Sequence, residues 1–189
     1  MDTETVTLFF ALLATLAQAG VVLAVVLAVG GRFSGALARV RTAVAAQVAP
    51  QALALAAAVA LTATLGSLYL SEVAHFPPCR LCWFQRIAMY PLVVVLGVGA
   101  VRRDPGARLP AGILAGIGAC ISSWHLLVER YPTLESGSCD PANPCSIKWV
   151  TELGYLTIPG MALSGFALIL VLVAVARPAD RSTGPGAGG

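Results

Sequence analysis

Charge is scarce in this chain. Asp, Glu, Lys and Arg make up 11% of its 189 residues, too few to give a soluble domain of that length a water-compatible surface. The net charge is only +3 and the cations are scattered over short loops, so there is no basic patch of the kind that nucleic acid requires. The alternation of apolar and polar residues that marks a membrane β-barrel strand is missing, and no internal repeat is evident. Nothing basic precedes the first apolar run. Asp2 and Glu4 stand there instead, and the run is too long for the core of a secretory signal, so it reads as a retained helix.

Apolar residues are abundant. They make up 58% of the chain and the mean hydropathy is +0.83. Five stretches, near Val6 to Val29, Gln51 to Leu70, Trp83 to Val101, Leu109 to Val128 and Thr157 to Ala176, are each about 20 residues long, enough to cross ~30 Å of hydrocarbon as helix. Backbone groups cannot go unpaired in lipid, so these stretches predict an all-α integral membrane helical bundle with five transmembrane helices. Ala, Leu, Val and Gly suit close packing between such helices. After Arg177 the Gly- and Pro-rich tail has nothing to bury, and residues 178–189 are expected to be a disordered tail.

Arg32, Arg39 and Arg41 fall between the first and second stretches, Arg102, Arg103 and Arg108 between the third and fourth, and Arg177 and Arg181 after the fifth. Only Asp104 and Asp180 accompany them. The opposite side carries Arg80, Arg86, Arg130 and Lys148 among seven acids, Asp2, Glu4, Glu72, Glu129, Glu135, Asp140 and Glu152. The basic side should be cytoplasmic. The expected topology is a multi-pass cell-membrane protein with its amino terminus and both cysteine loops outside and its carboxyl terminus inside.

Four of the five cysteines lie on that outer side. Cys79-Arg80-Leu81-Cys82 follows Pro77 and Pro78, which cannot continue a helix, and the next helix should begin near the pair and aim free N–H groups at Cys82. Arg86, one turn further on, is placed to stabilise a Cys82 thiolate or an anionic acceptor beside it. It could equally be a cation snorkelling to the interface. A lone CxxC is open to three readings: a redox couple, a static disulfide or half of a metal site. The second pair, Cys139 and Cys145, lies in a loop rich in Asp, Asn and Pro, either as a stabilising crosslink or as a labile short-ring disulfide. Ile147 to Leu153 mixes apolar and charged residues and is expected along the interface, with Trp149 as an anchor. His125 reads as a packing residue or as a proton donor beside the same acceptor as Arg86. Cys120 reads as a small buried hydrophobe, and His75 as an interfacial polar residue.

Cys79-Arg80-Leu81-Cys82-Trp83-Phe84-Gln85-Arg86, His125, the run from Cys139 to Trp149, and Thr157-Ile158-Pro159-Gly160-Met161-Ala162-Leu163 together resemble the disulfide bond formation protein B (DsbB) family, in its BdbC-type branch. The resemblance spans roughly Gln51 to Ala176. It implies a four-helix core that reoxidises an extracytoplasmic DsbA-like thioredoxin-fold thiol oxidase and passes the electrons to a membrane quinone, menaquinone or ubiquinone, in support of disulfide formation in exported proteins. By position it makes Cys79, Cys82, Cys139 and Cys145 catalytic. Cys139 would meet the partner, Cys145 would attack Cys79, and Cys82, Arg86 and His125 would face the quinone. The helix before Arg32 has no counterpart in that family, which divides the chain into an extra helix and cytoplasmic loop (1–47), the four-helix domain (48–177) and the tail (178–189). A rival of another class is a metal-handling membrane protein with the four outer cysteines as soft ligands.

Overall fold

A computed structural model describes residues 2–135 and 139–176. The tail at 178–189, with Arg177 and Arg181, lies outside the described residues. Six α-helices account for most of the rest: α1 (Thr3–Gly30), α2 (Gly35–Val48), α3 (Ala52–Leu68), α4 (Arg80–Arg102), α5 (Arg108–Arg130) and α6 (Ile158–Val175). Among the described residues there are five spans long and apolar enough to cross a membrane, because α2, a 3-10 turn at Ala49–Gln51, α3 and a π-helical turn at Tyr69–Val73 run on as one 39-residue helical stretch.

One difference from the sequence reading lies in that stretch. Residues 35–47 were expected as a loop, but α2 is helical and buries none of its residues. Its run of Ala, Arg, Val and Leu consists largely of good helix formers, and no proline interrupts it before Pro50. It also leans on α1, where Leu37 and Ala38 lie against Gly30 and Gly31.

Helices α3, α4, α5 and α6 pack in a ring, each on the next and α6 back on α3, while α1 lies against α6. On α5 the inward positions Ala111, Ala115, Gly118, Ser122, His125 and Glu129 step by three and four, one face of a 3.6-residue helix. The stripe is small in its first half and polar towards the C-terminal end of the helix. On α4 the corresponding stripe is Leu81, Gln85, Ala88, Leu92, Leu96 and Gly99. Cys120 falls off the α5 stripe and is exposed on the bundle surface, a correction to the expectation that it is buried.

Leu92, Leu96, Phe166 and Ile169, all fully buried, fill the centre against Ala56, Ala60, Ala111 and Ala115. Lipid tails are as apolar as these side chains, so association rests on close packing rather than on expulsion of water. The Phe166 ring lies directly on Gly118, where a Cβ would collide with it. Between α5 and α6, a two-residue antiparallel hairpin, β1 (Thr151–Glu152) with β2 (Leu156–Thr157), pairs Thr151 with Thr157 and Glu152 with Leu156. Trp149 precedes it and stacks on Phe76, with ring centroids 5.7 Å apart.

Gly118→Ala should therefore destabilise the bundle by about 1–3 kcal/mol through overpacking. Gly97→Ala, where a Cβ meets nothing within 4 Å, should leave stability unchanged or improve it. Thermal unfolding in detergent, comparing the two Tm values with wild type, checks the contrast.

Candidate functional site

Pro77 and Pro78 stop the helical stretch ending at Val73, and the chain restarts as helix only at Arg80. Cys79 becomes the N-cap of α4 in an extended conformation, and its Sγ accepts a hydrogen bond from the Cys82 backbone N–H at 3.3 Å. The cap geometry turns both side chains of the pair to the same side, with the two Sγ atoms 2.9 Å apart. Cys79 is buried and Cys82 is partly exposed. The hydrogen bond from the Cys82 thiol holds the Cys79 thiol well below the usual range, at about 5; burial opposes the shift and His125 adds to it.

His125 reaches this couple from α5. Its Nε2 lies 3.8 Å from Cys79 Sγ and 3.0 Å from the Cys145 carbonyl oxygen, and its Nδ1 lies 3.1 Å from Gln85 Nε2. The Gln85 amide donates to Nδ1, so the ring's own N–H sits on Nε2 and donates to the Cys145 carbonyl. One imidazole thus touches both cysteine loops. The sequence reading left His125 as a packing residue or as a donor beside the same acceptor as Arg86; in the structure it lies against Cys79 and the loop that carries the second pair.

Cys139 and Cys145 form a disulfide, S–S 2.08 Å, in a loop tied down at several points. Asp140 caps its turn by accepting from the Ala142 N–H at 2.9 Å, and Asn143 Nδ2 donates to the carbonyls of Pro77 and Pro78 at 3.4 and 3.2 Å. The Glu135 carboxylate accepts from the Cys145 N–H and from Ser146 Oγ. Cys79, Cys82, Cys139 and Cys145 pack in one cluster with Leu81 and Val128. The two pairs are neighbours at the same end of the bundle.

Arg86 is buried on the far side of Cys82, 9% exposed, which is unusual for a guanidinium that has no carboxylate partner among the described residues. Its Nε donates to Ser67 Oγ at 2.9 Å and its Nη2 to the Ser67 carbonyl at 2.8 Å, while the guanidinium lies 5.1 Å from the Trp83 ring centre. The snorkelling alternative is thereby set aside. Beside it opens a cavity of about 580 Å³. Cys82, Arg86, Gln85 and Trp149 line the end nearest the sulfurs, and mostly apolar side chains of α1, α3, α4 and α6 line the rest. A much smaller void of about 20 Å³ lies among Cys79, Cys82, His125 and Glu129, so Cys82 borders both spaces.

The structure thus brings Cys79, Cys82, Cys139, Cys145 and His125 into one constellation and sets Arg86 behind Cys82. The sequence reading missed Ser67, Glu129 and the roles of Glu135 and Asn143. Glu129, one turn after His125 on the same stripe, is buried and accepts from Thr157 Oγ1 at 2.7 Å. That i, i+4 spacing was the available signal. Nothing in the sequence pointed to Ser67.

A multi-pass helical bundle with two cysteine couples in contact at one end, one disulfide-bonded and the other holding an acidified thiol, is built for thiol–disulfide exchange. Residues 49–176 match the family model described as Disulfide bond formation protein DsbB, and the chain belongs to that family. It is similar to Disulfide bond formation protein C of Bacillus subtilis, 42% identical over 120 residues, 63% of this chain and 87% of the relative. It is also similar to a Probable disulfide formation protein of Oceanobacillus iheyensis, 42% identical over 115 residues, 60% of this chain and 79% of the relative. A Probable disulfide formation protein C 2 of Bacillus cereus is 36% identical over 131 residues, 69% of this chain and 93% of the relative. No solved structure matches. The chain is therefore a membrane disulfide oxidoreductase of the disulfide-forming class.

In the reduced chain, alkylation should fall first on Cys79. Because the thiolate is the reactive form and exists above the lowered pKa, the rate should stay flat from pH 8 to about 6 and fall only as pH drops through about 5. His125→Phe should move that fall to higher pH. Mass-spectrometric mapping of iodoacetamide adducts against pH measures both.

Proposed function

We propose that this protein reoxidises an extracytoplasmic thioredoxin-fold thiol oxidase of the DsbA type and delivers the electrons to a membrane quinone, with both cysteine loops outside the cell membrane. The observation that carries this reading is the position of Cys82, with the second couple's loop on one side of its own pair and a large apolar cavity with a buried arginine on the other. The cavity suits such an acceptor: its walls are largely apolar, and among its described lining residues the one cation, Arg86, is at the end where Cys82 lies.

The partner's thiolate attacks Cys139, and the Cys139–Cys145 bond breaks to release Cys145. The partner's second thiol resolves that mixed disulfide, so the partner leaves oxidised and Cys139 and Cys145 are left as a dithiol. Cys145, whose carbonyl is held by the imidazole that touches Cys79, attacks Cys79 in the oxidised Cys79–Cys82 couple and releases Cys82 as a thiolate on the cavity wall. Cys139 then closes on Cys145, leaving Cys79 and Cys82 reduced. A quinone in the cavity supplies the sink for two electrons and two protons as that couple re-forms its bond. Arg86, held rigid by Ser67, keeps a positive charge at the point where negative charge develops, and it is worth more there than in water because the surroundings are apolar. His125 holds or returns a proton at Nε2 next to Cys79.

The rival metal-handling reading needs four thiolates converging on one point. The ligand groups instead divide in two, Cys79 and Cys82 with His125, and Cys139 and Cys145 with Glu135. The charge distribution supports the orientation, since the cations between α1 and α3 and between α4 and α5 lie at the end away from the cysteines.

The test is purified protein in lipid nanodiscs with a reduced thioredoxin-fold oxidase and a quinone, followed by quinone absorbance. Consumption of one quinone per two thiols is expected, and Cys82→Ser or Cys139→Ser should each abolish it. Arg86→Ala should raise the quinone KM or lower kcat by at least about tenfold, the order expected for one charge-stabilising group. Formation of the mixed disulfide with the partner at Cys139 should be unaffected. Full turnover in either cysteine variant would refute the scheme.

A further inference from the structure

Helix α1 lies outside the family match, which begins at residue 49. It is nevertheless firmly docked. Thr7 Oγ1 donates to Glu152 Oε1 at 2.7 Å, Gln18 Nε2 donates to Ser164 Oγ at 3.0 Å, and Gln18 Oε1 accepts from the Tyr155 hydroxyl at 2.9 Å. A membrane helix that breaks such bonds strands an amide in hydrocarbon, so these contacts fix the rotation of α1 as well as its position. In that rotation Phe10, Leu13, Ala14 and Ala17, at helical spacing, face the cavity, whereas Leu12 and Leu23 point away from it at 50% and 55% exposure. The Phe10 ring rests on Gly66, where a Cβ would press into it, and Gly66 adjoins Ser67, the residue that holds Arg86. The extra helix is a wall of the same cavity that Cys82 and Arg86 border.

The cavity is longer than a ring needs. Along α3 its lining runs from Ser67 at the sulfur end to Leu55 near the opposite end, a rise of about 18 Å at about 1.5 Å per residue, and on α6 it runs as far as Leu172. Beyond Arg86 and Tyr90 that length is almost wholly apolar. We propose that α1 forms the binding wall for the long apolar chain of the acceptor and so makes the chain, not only the redox-active ring, a determinant of specificity. This rests on the acceptor reading above. It adds that residues outside the four-helix ring select polyprenyl acceptors over chainless ones with the same ring.

The experiment compares wild type with Ala14→Phe and Ala17→Phe, which add bulk on the cavity side, and with Leu23→Phe on the outer side as a control. Each is titrated in nanodiscs with a polyprenyl quinone and with its chainless analogue. Binding is read from quenching of tryptophan fluorescence, Trp149 being part of the lining, and turnover from quinone absorbance. For the two cavity-side variants, Kd and KM for the polyprenyl quinone should rise about tenfold, while the chainless analogue shifts by less than about twofold. Gln18→Leu adds no bulk but releases α1 from Ser164 and Tyr155, and it should narrow the same preference. Equal shifts for both quinones, or no shift for either, would overturn the role of α1 while leaving the acceptor reading intact. A wild-type chain that neither binds nor reduces either quinone would overturn the acceptor reading and this inference with it.

Discussion

A single imidazole joins the two halves of the redox site. His125 donates to the Cys145 carbonyl and lies against Cys79, with Gln85 fixing its tautomer from the next helix, so the loop of the second couple and the cap of α4 are held in register. The contact is buried, and buried polar contacts in low dielectric are strong when satisfied and expensive when broken. Asn143, reaching the Pro77 and Pro78 carbonyls, reinforces it from the loop side.

Around that junction the structure separates polar exchange chemistry from apolar storage. On one side of Cys79 and Cys82 are the loop, His125 and Glu129, where thiols and protons meet. On the other are Arg86 and the long cavity. The break at Pro77 and Pro78 makes this division possible, because it puts the pair at the first turn of α4, where one sulfur caps the helix and the next is a turn inside it. An uninterrupted helix would bury or expose both sulfurs together.

Much of this was legible in advance. The five spans, the helix start at the CxxC, and the sharing of one end by both pairs follow from apolar run length, proline placement and charge asymmetry, and the structure shows the same five spans and the same pairing of ends. The segment after Cys145, expected along the interface, stacks Trp149 on Phe76 and turns into the β1–β2 hairpin. The aromatic partner of Trp149 is 73 residues away in the chain and was invisible to local pattern. Cys120 was misjudged for a related reason. It sits among Ala, Gly and Ile on both sides, so its surroundings in sequence are the same whether it faces lipid or the bundle.

What the chain's order of residues determined alone was which stretches are long and apolar enough to cross a membrane as helix, since unpaired backbone in lipid is too costly to permit anything else. What only the tertiary structure decided was rotation and neighbour. In hydrocarbon both faces of a helix are apolar, so no periodic contrast tells which face turns inward, and the choice falls to close contacts such as Phe166 on Gly118 and to the few polar side chains that must find partners. Ser67 under Arg86, His125 against Cys79, and α1 along the cavity are all products of that choice. They set what the sulfur chemistry can reach, and none of them is written in a spacing.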